Sequence, residues 1–121
     1  MSRARRALGK PGEDLACQEL ERRGYAIIAR GYRQRRGELD IIARDGPTLV
    51  FVEVKARAGR ACGAAAEAVT SLKQHRIRRV ASEYVARHRL GPCPCRFDVV
   101  SIHLDTGQPV IEVYQNAFDG A

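Results

Sequence analysis

The chain has 121 residues, 45% apolar and 29% charged, with a net charge of +7. That length supports one hydrophobic core rather than two, and the composition excludes wholesale disorder. No apolar run nears the roughly 18 residues of a membrane span, and the basic opening MSRARRALGK lacks the apolar stretch of an export signal, so a cytoplasmic protein with no membrane partner is expected.

In chain order, residues 1–11 read as a mobile basic arm broken at Gly9 and Pro11, residues 12–118 as a single domain, and residues 119–121 as a tail. A helix is predicted over 13–23, with Leu15, Ala16, Glu19 and Leu20 on one face and Gly24 as its stop. A strand follows at 25–30, a basic loop GYRQRRG at 31–37, a second strand at 38–43, an Asp45-Gly46 turn and a Val-rich third strand at 48–55. Residues 56–66 read as a small-residue loop. A long helix then ends near His88, with Ile77, Val80, Ala81, Tyr84 and Val85 on one stripe. Two more strands are predicted at 96–103 and 109–114. The order α-β-β-β-α-β-β indicates an α/β fold with one mixed sheet covered by helices.

Charge is distributed in blocks. Residues 1–36 carry net +6 and residues 56–96 net +7, whereas 37–55 carry −2 and 97–121 carry −4. Eighteen of the 21 cations are Arg, whose fork suits phosphate oxygens, although genomic base composition accounts equally well for the Arg/Lys ratio. Carboxylates between two basic blocks do nothing for a purely electrostatic nucleic-acid binder, but a metal-dependent enzyme acting on phosphate needs them. The four cysteines, Cys17, Cys62, Cys93 and Cys95, form no C-x-x-C, and reduced thiols are expected; one residue between Cys93 and Cys95 is an awkward span for a disulfide. His75, His88 and His103 are isolated from one another.

The informative segment is Gly37-Glu38-Leu39-Asp40, twelve residues, then Glu53-Val54-Lys55. On the third strand, alternation puts Phe51, Glu53 and Lys55 on one face and Val50, Val52 and Val54 on the other, which must be core. A two-residue loop at Asp45-Gly46 makes Asp40 diagonal to Glu53. A four-residue loop from Asp45 to Thr48 sets the two directly opposite. Both leave Asp40, Glu53 and Lys55 on one face, whereas an odd-length loop would flip the second strand and separate them unless a bulge compensates. Adjacent carboxylates repel, and a divalent cation such as Mg²⁺ removes that cost. Lys55 could then orient or deprotonate an attacking water and steady a pentavalent phosphate. The competing reading is a solvated acidic face offset by Lys55.

GELDIIARDG at 37–46 and LVFVEVKAR at 49–57 resemble the YraN-type family of small bacterial proteins, assigned to the PD-(D/E)XK, restriction-endonuclease-like superfamily and similar to Holliday-junction resolvases. The likeness extends to Gly12-Glu13, Gly24-Tyr25, Val69, Lys73, Arg76 and Arg96-Phe97-Asp98. It implies a restriction-endonuclease-like core and Mg²⁺ or Mn²⁺ held by Asp40, Glu53 and the Val54 carbonyl. Lys55 would be the catalytic lysine. Glu13 matches an acid that approaches the metal from the side in related resolvases, or is a plain helix N-terminal charge. Glu38 is an outer partner or a surface residue. Gln74 is followed by Arg78, not by the Tyr of a related Q-x-x-x-Y motif, and takes no role.

Arg33, Arg35 and Arg36 before the acidic strand, Arg57 and Arg60 after Lys55, and Lys73, Arg76 and Arg79 on the second helix are candidate phosphate contacts, each also readable as a solvated charge. The expectation is a hydrolase of DNA phosphodiesters, selective for structures such as a junction or flap, with no organic cofactor. A junction substrate would require two sites and hence a homodimer. The rivals are a catalytically weak or inactive nucleic-acid-binding module on the same fold, and a basic ribosome-associated protein without a metal.

Overall fold

The structure is a computed structural model that describes residues 3–57, 69–104 and 107–119, with side chains from Pro11 and as far as Ala56 in the first of these. Helix α1 spans Arg3–Arg22. It is anchored as expected by Ala16 and Leu20, both fully buried. Gly24, at φ 98, ends it, and Tyr25 N–H closes the last turn on the Leu20 carbonyl at 3.0 Å. Its start differs from expectation: residues 3–11, read as a mobile arm, have helical backbone, with Pro11 inside the helix. Ala4, Ala7, Leu8 and the neighbouring arginines are strong helix formers and extend a helix already fixed by its C-terminal half.

Strand β1 runs Ala26–Gln34 and β2 Gly37–Asp45. The basic segment expected as a loop is thus the end of a hairpin whose last pair is Gln34 with Gly37, leaving only Arg35 and Arg36 at the tip. Strand β3 is Thr48–Arg57, and Asp45 pairs with Thr48. Gly46 and Pro47 make the turn, so Arg44 meets Leu49, the register that carries Asp40 towards Glu53. Residues 58–68, with Arg60 and Cys62, lie outside the described residues. Helix α2 is Ser71–Arg87, β4 Cys95–His103 and β5 Val110–Phe118. The sheet order is β1-β2-β3-β4-β5, antiparallel except for β3 and β4, which run parallel and are joined through α2. The mixed α/β fold expected from the element order is the fold observed.

Both faces of this sheet are core. Ala16, Cys17 and Leu20 of α1 pack with Ile41, Ala43, Val50, Val52, Val100 and Ile102. Ile77, Val80, Ala81 and Tyr84 of α2 pack with Leu39, Ile42, Leu49, Phe51, Phe97 and Val99. The Phe51–Glu53 face, expected to lie away from the core, is therefore under α2. The all-Val face does point inward, as alternation requires.

Besides the register shift between Ile27 and Ala29, strict alternation fails again further along the β1–β2 hairpin. Leu39 and Ile42, three residues apart, both join the α2 core, as do Ala29 and Tyr32 on the neighbouring strand. Arg30 pairs with Ile41 and Tyr32 with Leu39, so Gly31 and Asp40 lie between these pairs. Gly31 has φ 57, a left-handed conformation open to glycine at little cost, and there the side-chain order slips by one. Asp40 is thereby released from both faces and points along the sheet.

The hairpin tip is held against α2. A Cβ on Gly37 would stand 3.3 Å from Val80 Cγ2 and 3.9 Å from Arg76 Cβ, so the missing side chain permits the approach. Tyr32 completes the contact, its ring edge-on to Tyr84 at 5.2 Å.

Candidate functional site

The β2–β3 ladder stops at the Ile41–Val52 pair. Continued in register, the next pair would be Asp40 with Glu53, and the one after it Leu39 with Val54. Instead the Val54 N–H donates to Asp40 Oδ2 at 2.8 Å. The side chain released at the Gly31 slip thus replaces a main-chain acceptor and opens the ladder. A strand residue's N–H and C=O leave on the same edge, so the Val54 carbonyl borders the same gap.

Glu53 is the other half of the site. It lies on the α2 side of β3, is 5% exposed, and its carboxyl comes within hydrogen-bonding reach of Asp40. Burial, and next the Glu53 carboxylate, push the Asp40 carboxyl up to about 8, while the Val54 N–H pulls the other way. Two ammonium groups face Glu53. Lys55 Nζ lies 3.8 Å from Oε2, and Lys73, from the first turn of α2, makes an ion pair with the same oxygen.

Glu13 reaches the site from the other layer. Gly12 is buried against β3, and a Cβ there would stand 3.1 Å from Ala56 Cβ. That close approach sets the next residue near the carboxylates, and the Glu13 charge is felt at Asp40. Burial raises the Glu13 carboxyl against the pull of Arg30, whose Nε lies 3.6 Å away and whose Nη2 holds Asp14 at 2.5 Å. Because Ala56 Cβ is fixed to backbone, Gly12→Val should cost about 2 kcal/mol or more of stability, exceeding the gain in helix propensity. Urea denaturation checks this; an unchanged midpoint would show that α1 is not seated by Gly12.

Asp40, Glu53, Lys55 and Lys73 therefore come together, with Glu13 at the margin. Lys73 is the largest departure from the sequence reading, which placed it among phosphate contacts. Arg33 ion-pairs with Glu38 at 2.8 Å, Arg36 lies 4.0 Å from Glu83, and Arg35 and Arg76 are exposed. Arg57 belongs to β3 rather than to a loop, and its side chain lies outside the described residues. Among the described residues, no three Asp, Glu, His or Cys side chains assemble as a metal cage.

The donor set nevertheless suits a hard divalent cation. Two carboxylates share one buried place, one is anchored by a main-chain N–H, and a carbonyl borders the gap. Mg²⁺ commonly takes one or two carboxylates and keeps several waters.

Two polar clusters were not anticipated. His103 Nε2 lies 3.2 Å from Ser101 Oγ and 3.1 Å from Glu112 Oε1, beside Lys55, whose strand partner is Ser101. Further back along β3, beside Val52, fully buried Asp98 is held by Arg96, Tyr25 and the Asn116 N–H. Among the described cysteines, Cys17, Cys93 and Cys95 are free thiols, and no described helix is long and apolar enough to cross a membrane.

Residues 12–102 match the model of a family described as "Uncharacterised protein family UPF0102". A UPF0102 protein of Symbiobacterium thermophilum is 51% identical over 93% of this chain and 97% of its own. Relatives from Geobacter metallireducens (46%, 98% of each chain) and Frankia alni (47%, 96% and 98%) carry the same designation. With a match over most of its length and relatives this close, the chain belongs to the UPF0102 family.

Proposed function

We propose that this protein is a metal-dependent nuclease of the restriction-endonuclease-like type that hydrolyses DNA phosphodiester bonds. The observation that carries the reading is the juxtaposition of Asp40 and Glu53, half-buried and buried, beside Lys55. A sheet gains nothing from two carboxylates in one buried place, and Asp40 gives up ladder pairing to be there. Asp40, Glu53 and the Val54 carbonyl would hold Mg²⁺ or Mn²⁺. When bound, the ion supplies Lewis acidity at the phosphate and makes a water easier to deprotonate.

The chain's own groups do the rest. Lys55, one strand step beyond Glu53 on the same face, orients the attacking water and offsets charge building on the phosphate oxygens. Arg35 and Arg36 at the hairpin tip, with Arg76 nearby on α2, supply backbone contacts that position DNA without reading sequence. Junctions and flaps are the favoured substrates on the likeness to resolvases.

One observation favours a second reading. Glu53 already faces two lysines, so the same fold could bind nucleic acid without turnover.

Cleavage of linear, flap and four-way-junction DNA with Mn²⁺ separates the two. Lys55→Ala should lower turnover at least a hundredfold while Mn²⁺ affinity changes less than about threefold. DNA binding by the wild type without cutting of any substrate supports the module. A loss of metal affinity larger than the loss of turnover would overturn the role given to Lys55.

A further inference from the structure

The first turn of α2 is pinned at three points. Thr70 Oγ1 accepts from Lys73 N–H at 3.2 Å, Gln74 Nε2 donates to the Val69 carbonyl at 2.9 Å, and Val69 is 2% exposed in the α2 core. Lys73 is the third residue of this turn. Its stem crosses from helix to sheet, and its ammonium settles on Glu53 Oε2. The pair is uneven: the Lys73 side chain is 42% exposed, that of Glu53 5%. The wetter partner is the lysine.

A divalent ion held by Asp40 and Glu53 would compete with Lys73 for the Glu53 carboxylate. An ammonium in contact with that oxygen and a dication beside it repel strongly at such range. We propose that Lys73 is a built-in counter-ion for the acid pair. It neutralises Glu53 while no metal is present, is displaced when a divalent cation binds, and then turns its ammonium to the phosphate that arrives at the cation. This rests on the metal-site reading above. It explains how the buried Glu53 is accommodated beside Asp40 in the metal-free protein, and it makes phosphate capture by Lys73 conditional on the metal. An ordinary basic surface contact would not behave in this way.

Competition has a signature in metal binding itself, without any turnover. In calorimetric titration with Mn²⁺ at 150 mM salt, Lys73→Gln should bind the ion roughly three- to tenfold more tightly than wild type, the range expected for loss of a half-exposed ion pair. Arg76→Gln, which removes an exposed charge one helical turn away, should change affinity less than about twofold. Lys73→Met, which keeps the stem, serves as the second variant should Lys73→Gln fold poorly. With Ca²⁺ present, Lys73→Gln should weaken binding of duplex DNA several-fold; without a divalent ion it should leave binding unchanged.

Equal or weaker Mn²⁺ binding by Lys73→Gln, in a protein whose Asp40→Asn variant has lost the ion, would overturn the counter-ion role and leave the metal site standing. Equal tightening by Arg76→Gln would do the same, by reducing the effect to general field strength. A loss of DNA affinity that is the same with and without Ca²⁺ would make Lys73 a plain phosphate contact. Absence of Mn²⁺ binding in wild type and variant alike would remove the metal reading and this proposal together.

Discussion

Asp40→Asn is expected to make the metal-free protein more stable at pH 8 and, in the same molecule, to abolish Mn²⁺ binding and cleavage. Folding raises the Asp40 carboxyl from its ordinary 3.8 to about 8, chiefly through burial and secondly through Glu53. Between those values the folded chain holds a proton that the unfolded chain releases. The wild type therefore loses stability as pH rises from about 4 to about 8, and the full cost is present above 8. Glu13, also raised by burial, adds to the same trend. Asn removes the Asp40 cost and can still accept from the Val54 N–H. The gain at pH 8 should be about 2 kcal/mol, or roughly 6–10 °C in Tm for a domain of this size. At pH 4 it should vanish. Added Mn²⁺ should raise the Tm of wild type and leave Asp40→Asn unmoved. Thermal melts of both proteins at pH 4, 6 and 8 provide the comparison. The difference between the proteins is the quantity to read, because the net charge of +7 makes acid unfavourable for both. A variant less stable than wild type at pH 8 would contradict the placing of Asp40.

Arg96→Ala is expected to produce the largest loss of stability among single substitutions at polar positions. Asp98 is fully buried and accepts four hydrogen bonds: Arg96 Nε and the Asn116 N–H at 2.9 Å on Oδ1, Tyr25 O–H at 2.8 Å and Arg96 Nη2 at 3.0 Å on Oδ2. Arg96 Nη2 also reaches Tyr25 Oη at 2.8 Å and Asp45 Oδ2 at 2.9 Å. One guanidinium thus ties the entry to β1, the end of β2 and β4, and Asp98 carries the link to β5 through the Asn116 N–H. Asn116 stands at φ 52, and the β4–β5 register shifts between Phe97 and Val99, which brings the Asn116 N–H to Asp98. Without Arg96 the Asp98 charge stays buried and uncompensated, a cost of about 3–5 kcal/mol against a typical total of 5–15. Partial unfolding at 37 °C follows. Arg96→Lys should recover only part of the loss, because a single ammonium cannot span both Asp98 oxygens, Tyr25 and Asp45. Urea denaturation with an unchanged slope gives the value; a cost below 1 kcal/mol would show that the network is ornamental.

Much of this fold can be read from residue order. The Val run of β3, the Ile77–Tyr84 stripe and the turns at Gly46 and Gly24 each follow a local rule, and the structure follows them. The register of β2 on β3 was one of two readings, decided by Pro47 sitting inside the turn rather than in the strand. What alternation could not supply was the slip at Gly31. A glycine between Arg30 and Tyr32 reads as a loop, and only the pairing of flanking residues with Ile41 and Leu39 shows that it is a kink within a continuous strand. That kink, not strand phase, takes Asp40 to the Val54 N–H.

Lys73 was hidden for a different reason. Lys73, Arg76 and Arg79 recur at helical spacing, and which of them meets Glu53 depends on how α2 is rolled over the sheet. Periodicity does not determine that roll; Gly37 against Val80 and the Thr70 cap do. Arg96 and Asp98 were legible as a motif but not as a buried pair, because two charges at i and i+2 on a strand look like a wet face. Burial of charge here depends on partners more than seventy residues distant in one case, Tyr25, and about fifty in another, Asp45.

On the proposed reading, Asp40 and Glu53 seat a divalent cation. Anomalous diffraction from crystals grown with Mn²⁺ tests it most directly. A single strong peak between the two carboxylates, with Lys73 moved off Glu53, is the result this account predicts. Crystals saturated with Mn²⁺ that show no peak there, and Lys73 still seated on Glu53, would contradict it.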